Sequence, residues 1–219
     1  AEGSDTSGMT RSIPIEKILG DCLIAWAMNG EALRPEQGYP ARLVVPGWEG
    51  NMWVKWIRRL EFGDKPYMTR EETSKYTDLL TDGKARMFTW VMEAKSVVTS
   101  PSPEKPILHK GIQQLRGLAW SGKGKIKRVD VSLDGGKNWR TAQLHAPIMS
   151  KSLVRFTLPF EWSGEELLIQ SRAIDETGYV QPYIQELQKI RGKNSIYHNN
   201  SIATWLVSKS GKVDNVRLG

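Results

Sequence analysis

Cysteine is almost absent from this sequence, which contains a single one, Cys22, in 219 residues. One cysteine cannot form an internal disulfide bond, so a disulfide-stapled scaffold and a zinc site made only of cysteines are both excluded. Long hydrophobic runs are also lacking, because no stretch approaches the roughly 18 consecutive apolar residues that a membrane-spanning helix needs. We therefore predict no membrane-spanning segment.

Signatures of common catalytic and metal sites are missing as well. The three histidines, His109, His145 and His198, lie far apart, and neither HExxH nor CxxC spacing occurs. We expect each of them to be a surface or hydrogen-bonded histidine. There is no nucleophile elbow and no P-loop, although residues 122–125 read GKGK. Cys22 lies in an apolar run, which favours a buried and inert thiol.

Basic residues outnumber acidic ones by 31 to 24, which gives a formal net charge of +7. This excess favours anionic ligands or acidic partners without choosing between them. Residues 122–128 form a local basic cluster that is typical of a solvated turn and strand face. Nucleic-acid binding would need aromatic side chains interleaved with such charges, so no nucleic-acid partner is predicted. The nine tryptophans are expected mostly in the core.

The chain changes character after a proline-rich stretch, TSPSPEKP at residues 99–106, which predicts a domain boundary. Before it, helix and strand signals alternate: Pro14 fits a helix start that Gly20 would end, and Asn29-Gly30 is a strong hairpin signal. After residue 111, short runs with period-two alternation predict an all-β sandwich of immunoglobulin type. An antibody-type domain is not expected, because the Cys-Trp-Cys spacing is absent.

Two local patterns stand out. Residues 132–139 match SxDxGxxW, the Asp-box pattern of propeller hairpins, for which we predict a structural role. A propeller would need several copies of this pattern, and the sequence contains one.

Four basic residues, Arg42, Lys55, Arg58 and Arg59, surround a Pro-Gly turn. They would form an anion site if residues 42–45 and 53–60 paired as strands. Taken alone, these four residues could equally be surface charges.

At these residues the sequence resembles the sulfite oxidase family of molybdenum enzymes. The matching stretches occur in the family's order, and their combination is specific: residues 28–61, 74–79, 118–139 and 171–182. Within the family the sequence is similar to the catalytic subunits of sulfane dehydrogenases, from the Sox systems of thiosulfate oxidation. The stretches that carry this second likeness are residues 11–17, 67–79 and 197–202.

The resemblance implies an α+β fold in two parts. Residues 1–93 would be the C-terminal portion of a molybdopterin-binding domain, and residues 94–219 an immunoglobulin-like dimerisation domain. It also implies a molybdenum–molybdopterin cofactor, a homodimer, a c-type cytochrome subunit and a sulfur-carrier protein as partners, and a periplasmic location. The implied reaction is the oxidation of a sulfane sulfur on a carrier-protein cysteine.

Six positions match the cofactor-binding residues of the family. Arg42 would bind the cofactor phosphate, and Lys55 would help to neutralise it. An acidic residue in the family bonds the pterin at the position of Asp5, and Gln37 stands where the family has a cofactor-binding histidine. The full set is Asp5, Gln37, Arg42, Trp53, Val54 and Lys55.

Tyr76 matches the active-site tyrosine beside the metal and is the predicted catalytic residue. Asn199 stands where sulfite oxidases have an arginine of the sulfite pocket, and this departure favours a larger, protein-borne sulfur group over free sulfite. The family's metal-ligating cysteine lies upstream of Asp5, and Cys22 does not match it. No metal ligand is therefore assigned in this chain, which we expect to be the C-terminal part of a longer enzyme and inactive alone.

Two other interpretations remain. A sulfite dehydrogenase acting on free sulfite is the nearest enzymatic alternative. A β-sandwich interaction module that dimerises without a cofactor is the alternative of a different class.

Overall fold

The structure is a computed structural model that describes residues 1–5, 8–195 and 197–218. The chain divides into two compact units. Unit 1 comprises Ala1–Val91 and Lys189–His198, and unit 2 comprises Met92–Gln188 and Asn199–Gly219. A short segment near the C-terminus thus belongs to the first unit. The expected domain boundary after residue 93 stays a prediction.

Unit 1 is assembled from short helices and from strands that pair two by two. Strand β1 pairs with β6, β2 with β5, β3 with β4, and β7 with β8, all antiparallel. The elements are β1 (Glu2–Gly3), α1 (Ile15–Asp21), β2 (Leu23–Ala25), β3 (Ala27–Met28), β4 (Glu31–Ala32), β5 (Arg42–Val44), β6 (Ile57–Arg59), α2 (Arg70–Lys75), β7 (Thr77–Leu79) and β8 (Ala85–Met87), with 3-10 helices at Pro35–Gln37 and Gly50–Met52.

Two of the three local predictions for the start of unit 1 are confirmed, those of the Asn29-Gly30 hairpin and of the start of helix α1. Asn29 and Gly30 have φ angles of 53° and 84° between β3 and β4, which confirms the predicted tight hairpin. Helix α1 starts directly after Pro14, also as predicted. Gly20 does not end this helix but lies inside it, since the helix runs on to Asp21.

The pairing of residues 42–45 with residues 53–60, on which the anion site was made conditional, does not occur as a strand ladder. Strand β5 pairs with β2, and β6 pairs with β1. Two features interrupt the extended run that the sequence indicated: the 3-10 helix at Gly50–Met52 and a left-handed backbone at Trp56, where φ is 50°. A residue in that conformation breaks the regular strand geometry that a ladder requires.

The core of unit 1 is small and contains Leu43, Val45, Trp48, Met52 and Val54. The expectation that most tryptophans lie in the core is met by five of the nine, because Trp53, Trp90 and Trp205 pack against a core cluster in addition to the two that are buried. Only Trp48 and Trp162 are buried in the part of the chain that is described; Trp26 is 72% exposed and the other six are half-buried.

Cys22 is only half-buried, so the predicted burial of its side chain is wrong. It packs against the core of unit 1 and also lines a mainly apolar cavity of about 470 Å³ within that unit, next to Leu23, which is exposed.

Unit 2 is a sandwich of two antiparallel sheets with strand orders β13-β14-β10-β9 and β12-β11-β15-β16-β17. Strand β14 shows the alternation that faces one side to a core, with Val154, Phe156, Leu158, Phe160 and Trp162 all buried. The predicted β-sandwich is confirmed; its immunoglobulin type stays a prediction. The elements are β9 (Lys95–Ser100), β10 (Gly111–Trp120), β11 (Ile126–Ser132), β12 (Arg140–Thr141), β13 (Gln143–His145), β14 (Val154–Trp162), β15 (Leu167–Asp175), α3 (Ile184–Arg191), β16 (Thr204–Val207) and β17 (Val213–Val216).

The Asp-box residues stabilise a turn at the end of β11. Asp134 accepts hydrogen bonds from the backbone nitrogen of Asn138 at 2.9 Å and from its side-chain nitrogen at 2.7 Å. These donors, with the hydroxyl of Ser132, lower the pKa of Asp134 to about 2. Trp139 Nε1 donates a hydrogen bond to the carbonyl oxygen of Gly136 at 3.0 Å, and this bond closes the turn. The motif therefore has the structural role predicted for it.

None of the helices within residues 1–5, 8–195 and 197–218 has the length and apolar character needed to cross a bilayer.

Candidate functional site

Gly38 brings two basic residues of unit 1 together. It follows the 3-10 helix Pro35–Gln37, is buried, and has a φ of +113°, a value that favours glycine. A Cβ on this residue would lie 3.0 Å from Cβ of Lys55 and 3.1 Å from Cβ of Arg42. The absence of a side chain at Gly38 is therefore what allows Arg42 and Lys55 to pack against the same point.

Two backbone hydrogen bonds align the segments that carry these residues. Leu43 N donates to Val54 O at 2.8 Å, and Ile57 N donates to Ala41 O at 2.9 Å. The segments are thus neighbours without forming a regular ladder. The expected juxtaposition of Arg42 with Lys55 is present, although the pairing that was to produce it is not.

The guanidinium of Arg42 is held by backbone carbonyls. Nη1 donates to Gln37 O at 3.0 Å and Nη2 to Trp53 O at 3.4 Å, while Cζ lies 5.6 Å from the centre of the Trp53 ring. Its Nε is buried and has no hydrogen-bond partner among the described residues. Burial lowers the pKa of Arg42 below its usual value. A buried donor without an acceptor is costly, and an anionic oxygen would satisfy it.

Lys55 is held in a similar way. Its Nζ donates to Glu36 O at 2.7 Å and lies 5.3 Å from the centre of the Trp56 ring. Among the described residues, neither Lys55 nor Arg42 forms an ion pair with a carboxylate. Two neighbouring basic residues that are held by neutral carbonyls and aromatic rings, and not by a carboxylate, attract an anion such as a phosphate.

The segment that carries Asp5 runs beside Lys55. Ser4 N donates to Trp56 O at 2.9 Å, and a Cβ on Gly3 would lie only 2.6 Å from Lys55 O. The carboxylate of Asp5 accepts a hydrogen bond from Met9 N at 2.7 Å. Asp5 thus follows strand β1, in a segment whose residues Gly3 and Ser4 approach the backbone of Lys55 and Trp56.

Gln37 lies at the end of the same 3-10 helix. Its side-chain oxygen accepts a hydrogen bond from Arg34 N at 3.0 Å, and its backbone oxygen accepts one from Arg42. Gln37 therefore helps to shape the backbone around the basic pair.

Tyr76 ends helix α2 and contacts two side chains of unit 1. Its ring centre is 4.9 Å from that of Tyr197 and 4.9 Å from Cζ of Arg11. Arg11 is 2% exposed, and its Nε donates to Asn51 O at 2.9 Å. Because Asn51 closely precedes Trp53 and Lys55 in the chain, this contact connects Tyr76 to the segment that carries the predicted cofactor-binding residues.

Asn51 is a candidate that the sequence reasoning missed. Both polar atoms of its side chain are buried, and neither has a hydrogen-bond partner among the described residues. An amide in this state offers one acceptor and two donor hydrogens to a ligand. Nothing in the sequence distinguished Asn51 from an ordinary turn asparagine.

Asn199 belongs to unit 2, and its polar groups are used locally. Its side-chain oxygen accepts hydrogen bonds from Ser201 N at 3.0 Å and Ser201 Oγ at 2.7 Å, and its backbone oxygen accepts one from Lys95 Nζ at 2.5 Å. A substrate contact for Asn199 stays a prediction. Across the described part of the chain, no group of three or more His, Cys, Asp or Glu residues is placed to hold a metal ion.

Two family models match the chain. The oxidoreductase molybdopterin binding domain matches residues 1–71, and the Mo-co oxidoreductase dimerisation domain matches residues 86–205. The second match alone covers more than half of the chain.

Similar proteins include enzymes with different substrates. The chain is 35% identical to sulfite oxidase of Gallus gallus over 188 residues, which is 78% of this chain and 40% of that protein. It is 32% identical to an NADPH nitrate reductase of Mycosarcoma maydis over 146 residues, 57% of this chain and 15% of that protein. The chain thus spans well under half the length of these curated relatives.

A solved structure, that of the sulfane dehydrogenase SoxCD from Paracoccus pantotrophus, is similar over the whole chain. It is 61% identical, with a TM-score of 0.95, and the match covers 100% of this chain and 57% of the other. The likeness therefore extends through both compact units.

The residues present suit the cofactor that these matches imply. The unpartnered Nε of Arg42 and the nearby Lys55 fit a phosphate, and the close approach at Gly38 keeps them adjacent. The molybdopterin-binding match implies that the whole protein carries this cofactor. From its family-model matches and its relatives, the chain belongs to the sulfite oxidase family of molybdopterin oxidoreductases.

Proposed function

We propose that this chain is part of a molybdenum-dependent sulfane dehydrogenase, which oxidises a sulfane sulfur carried on a cysteine of a partner protein. The observation that carries the proposal is the Arg42–Lys55 pair, two adjacent cations without a carboxylate partner among the described residues. The choice of sulfane sulfur is supported by the 61% identity to the Paracoccus pantotrophus enzyme.

In this proposal the residues around Gly38 bind the cofactor. Arg42 and Lys55 hold its phosphate, and the backbone of Trp53, Val54 and Lys55 bonds the pterin. Asp5 accepts a pterin N–H, and the amide of Gln37 adds a neutral contact. The bound cofactor supplies a two-electron oxidation of sulfur with transfer of an oxygen atom. The side chains of this chain bind and orient the cofactor.

Tyr76 is the proposed catalytic residue. Its phenol would donate a hydrogen bond to an anionic oxygen bound beside the cofactor and would so stabilise negative charge there. Arg11 and Tyr197 pack against its ring and fix its orientation. A fixed donor loses little energy to reorganisation during the reaction.

The substrate preference rests on Asn199. A neutral amide at this position, in place of the arginine that the sulfite oxidases have, gives less attraction for a free dianion such as sulfite. The neutral side chain fits a sulfane group whose charge and bulk belong to a carrier protein. A dehydrogenase acting on free sulfite is the second candidate, favoured by the sulfite oxidase relatives.

The proposed assembly is a homodimer formed through the β-sandwich of unit 2, supported by the dimerisation-domain match. Electrons pass to a c-type cytochrome subunit, and the complex acts in the periplasm. The chain without the rest of the enzyme has no activity of its own. A non-enzymatic dimerisation module is the alternative of another class, and it requires that the whole protein bind no cofactor.

The test is a comparison of two substrates with the whole protein and its cytochrome. Cytochrome reduction is followed with a carrier protein bearing a persulfide on its cysteine and, separately, with sulfite. We expect the carrier-bound sulfane to give a kcat/KM at least about 10-fold higher, a difference of about 1.4 kcal/mol in transition-state binding. A higher kcat/KM for sulfite would identify the protein as a sulfite dehydrogenase. No turnover with either substrate would support the non-enzymatic dimerisation module instead.

A further inference from the structure

A buried pair joins two distant parts of unit 1. His198 is 4% exposed, and its Nδ1 lies 2.6 Å from Oε1 of Glu49, 149 residues away in the chain. The carboxylate of Glu49 is itself largely buried, with 14% of its side chain exposed. Burying a histidine and a glutamate together is expensive unless they hydrogen-bond each other, so this distance describes a specific contact.

The backbone of Glu49 is held in place by contacts with the segment around Trp90. Its backbone nitrogen donates to Trp90 O at 2.7 Å, and it directly follows Trp48, whose ring stacks on that of Trp90 with centres 5.0 Å apart. The Glu49 carboxylate thus projects from a packed part of the unit. Its partner His198 is correspondingly fixed.

His198 is the chain neighbour of Tyr197, whose ring packs on that of Tyr76. Tyr197 is 46% exposed, so burial alone does not hold its ring in place. A second anchor lies earlier in the same segment, where Arg191 Nη1 donates to Asp78 Oδ2 at 3.0 Å. The Glu49–His198 contact therefore anchors the end of the segment next to Tyr197, and the Arg191–Asp78 contact anchors the segment at its start.

We propose that Glu49 and His198 form a positioning pair that holds the ring of Tyr197 against Tyr76 and thereby fixes the orientation of the Tyr76 phenol. The effect of this pair on catalysis rests on the proposed function of Tyr76. Its effect on the position of the Tyr197 ring does not depend on that function. Neither Glu49 nor His198 is assigned a contact with substrate or cofactor. Both act through Tyr197.

The test uses the whole, molybdenum-loaded protein with a fluorinated tyrosine placed at position 76 alone. Tyr197→Leu removes the neighbouring ring and defines how far the fluorine-19 resonance moves when the contact is lost. We expect His198→Ala and Glu49→Ala to move it in the same direction. His198→Asn should restore most of the native position, because an asparagine amide nitrogen can occupy the place of Nδ1 and donate to Glu49. Glu49→Gln, which keeps an acceptor, should do the same.

The kinetic readout separates positioning from folding. We expect His198→Ala to lower kcat about 10-fold with little change in KM and with the native molybdenum content, and His198→Asn to recover most of the loss. Asp78→Asn is the matched control, since it weakens the other anchor of the segment and should leave the fluorine resonance near its native position.

A fluorine resonance that stays in place in both alanine variants overturns the proposal, as does an equal shift in the conservative variants. Should His198→Ala fail to fold, the two Glu49 variants carry the same comparison. If Tyr76→Phe leaves kcat unchanged, the proposed role of Tyr76 fails, and the fluorine shifts still decide whether the pair positions Tyr197.

Discussion

Arg42 and Lys55 pack against one backbone position, because a side chain on Gly38 would place its Cβ 3.1 Å from Cβ of the first and 3.0 Å from Cβ of the second. A side chain at that position would force both residues to shift by a few tenths of an ångström. Each is held by a backbone carbonyl rather than by an acid. This arrangement leaves their charge available to an anionic ligand.

Gly38→Ala should separate the two cations and weaken cofactor binding. The matched control is Gly30→Ala, which has a similar positive φ of +84° but no atom within 4 Å of its Cβ position. Both changes should cost about 1 kcal/mol of stability from backbone strain. Gly38→Ala alone should also lower the pterin and molybdenum content of the purified protein. Equal contents in the two variants would mean that the close approach is irrelevant to binding.

Arg42→Ala should weaken retention of the cofactor by about 10- to 100-fold, the range expected when a hydrogen bond to a charged group is lost. Lys55→Ala should have a smaller effect, since an ammonium binds phosphate as a single point charge. Pterin content after gel filtration measures both. Arg59→Ala, a change at a residue whose side chain is 63% exposed, is the control for loss of one positive charge and should leave the content unchanged.

Asp78→Ala should destabilise the protein by about 3–5 kcal/mol, because it removes one side of a buried ion pair, the carboxylate that lies 3.0 Å from the guanidinium of Arg191. Asp82→Ala removes a carboxylate of a surface pair instead, with side chains 54% and 81% exposed, and should cost at most about 1 kcal/mol. Chemical denaturation of the two variants checks the difference. Similar losses would mean that the buried pair contributes no more than a surface one.

The Asp134 turn should give a stability term that depends on pH. Hydrogen bonds hold the pKa of Asp134 at about 2, below the ordinary 3.8. A carboxylate whose pKa is lowered by folding stabilises the fold above the unfolded value, and this contribution is lost as the pH falls through the folded value. Asp134→Asn should therefore be less stable than the native protein at pH 7, by a difference that shrinks between pH 4 and 2. A difference that is constant with pH would assign the loss to geometry instead.

Elements set by neighbouring residues were the predictable part of the fold. The Asn29-Gly30 hairpin, the Asp-box turn and the alternating strands of unit 2 all follow from preferences within a few residues of chain. The strand that pairs with β5 could not be predicted from such local preferences. Strand β5 pairs with β2, and residues 53–60 are interrupted at Trp56, which adopts a left-handed backbone that no local pattern indicates.

The candidate site shows the same division. The family pattern located Arg42, Lys55 and Tyr76, and the structure places the first two against Gly38. The family pattern could not indicate Asn51, because the burial of its amide and the absence of a hydrogen-bond partner among the described residues are known only from the folded chain. The contact between Glu49 and His198 spans 149 residues, and single-sequence patterns carry no information about pairing at that distance.

The molybdenum and pterin content of the whole protein, purified from a host that makes the cofactor, is the first measurement to make. We expect about one molybdenum and one pterin per chain, both reduced in the Arg42→Ala variant and both retained in Arg59→Ala. Native protein that contains neither would contradict the assignment of the basic pair at Gly38 to a cofactor phosphate, and with it the proposed oxidation of sulfur.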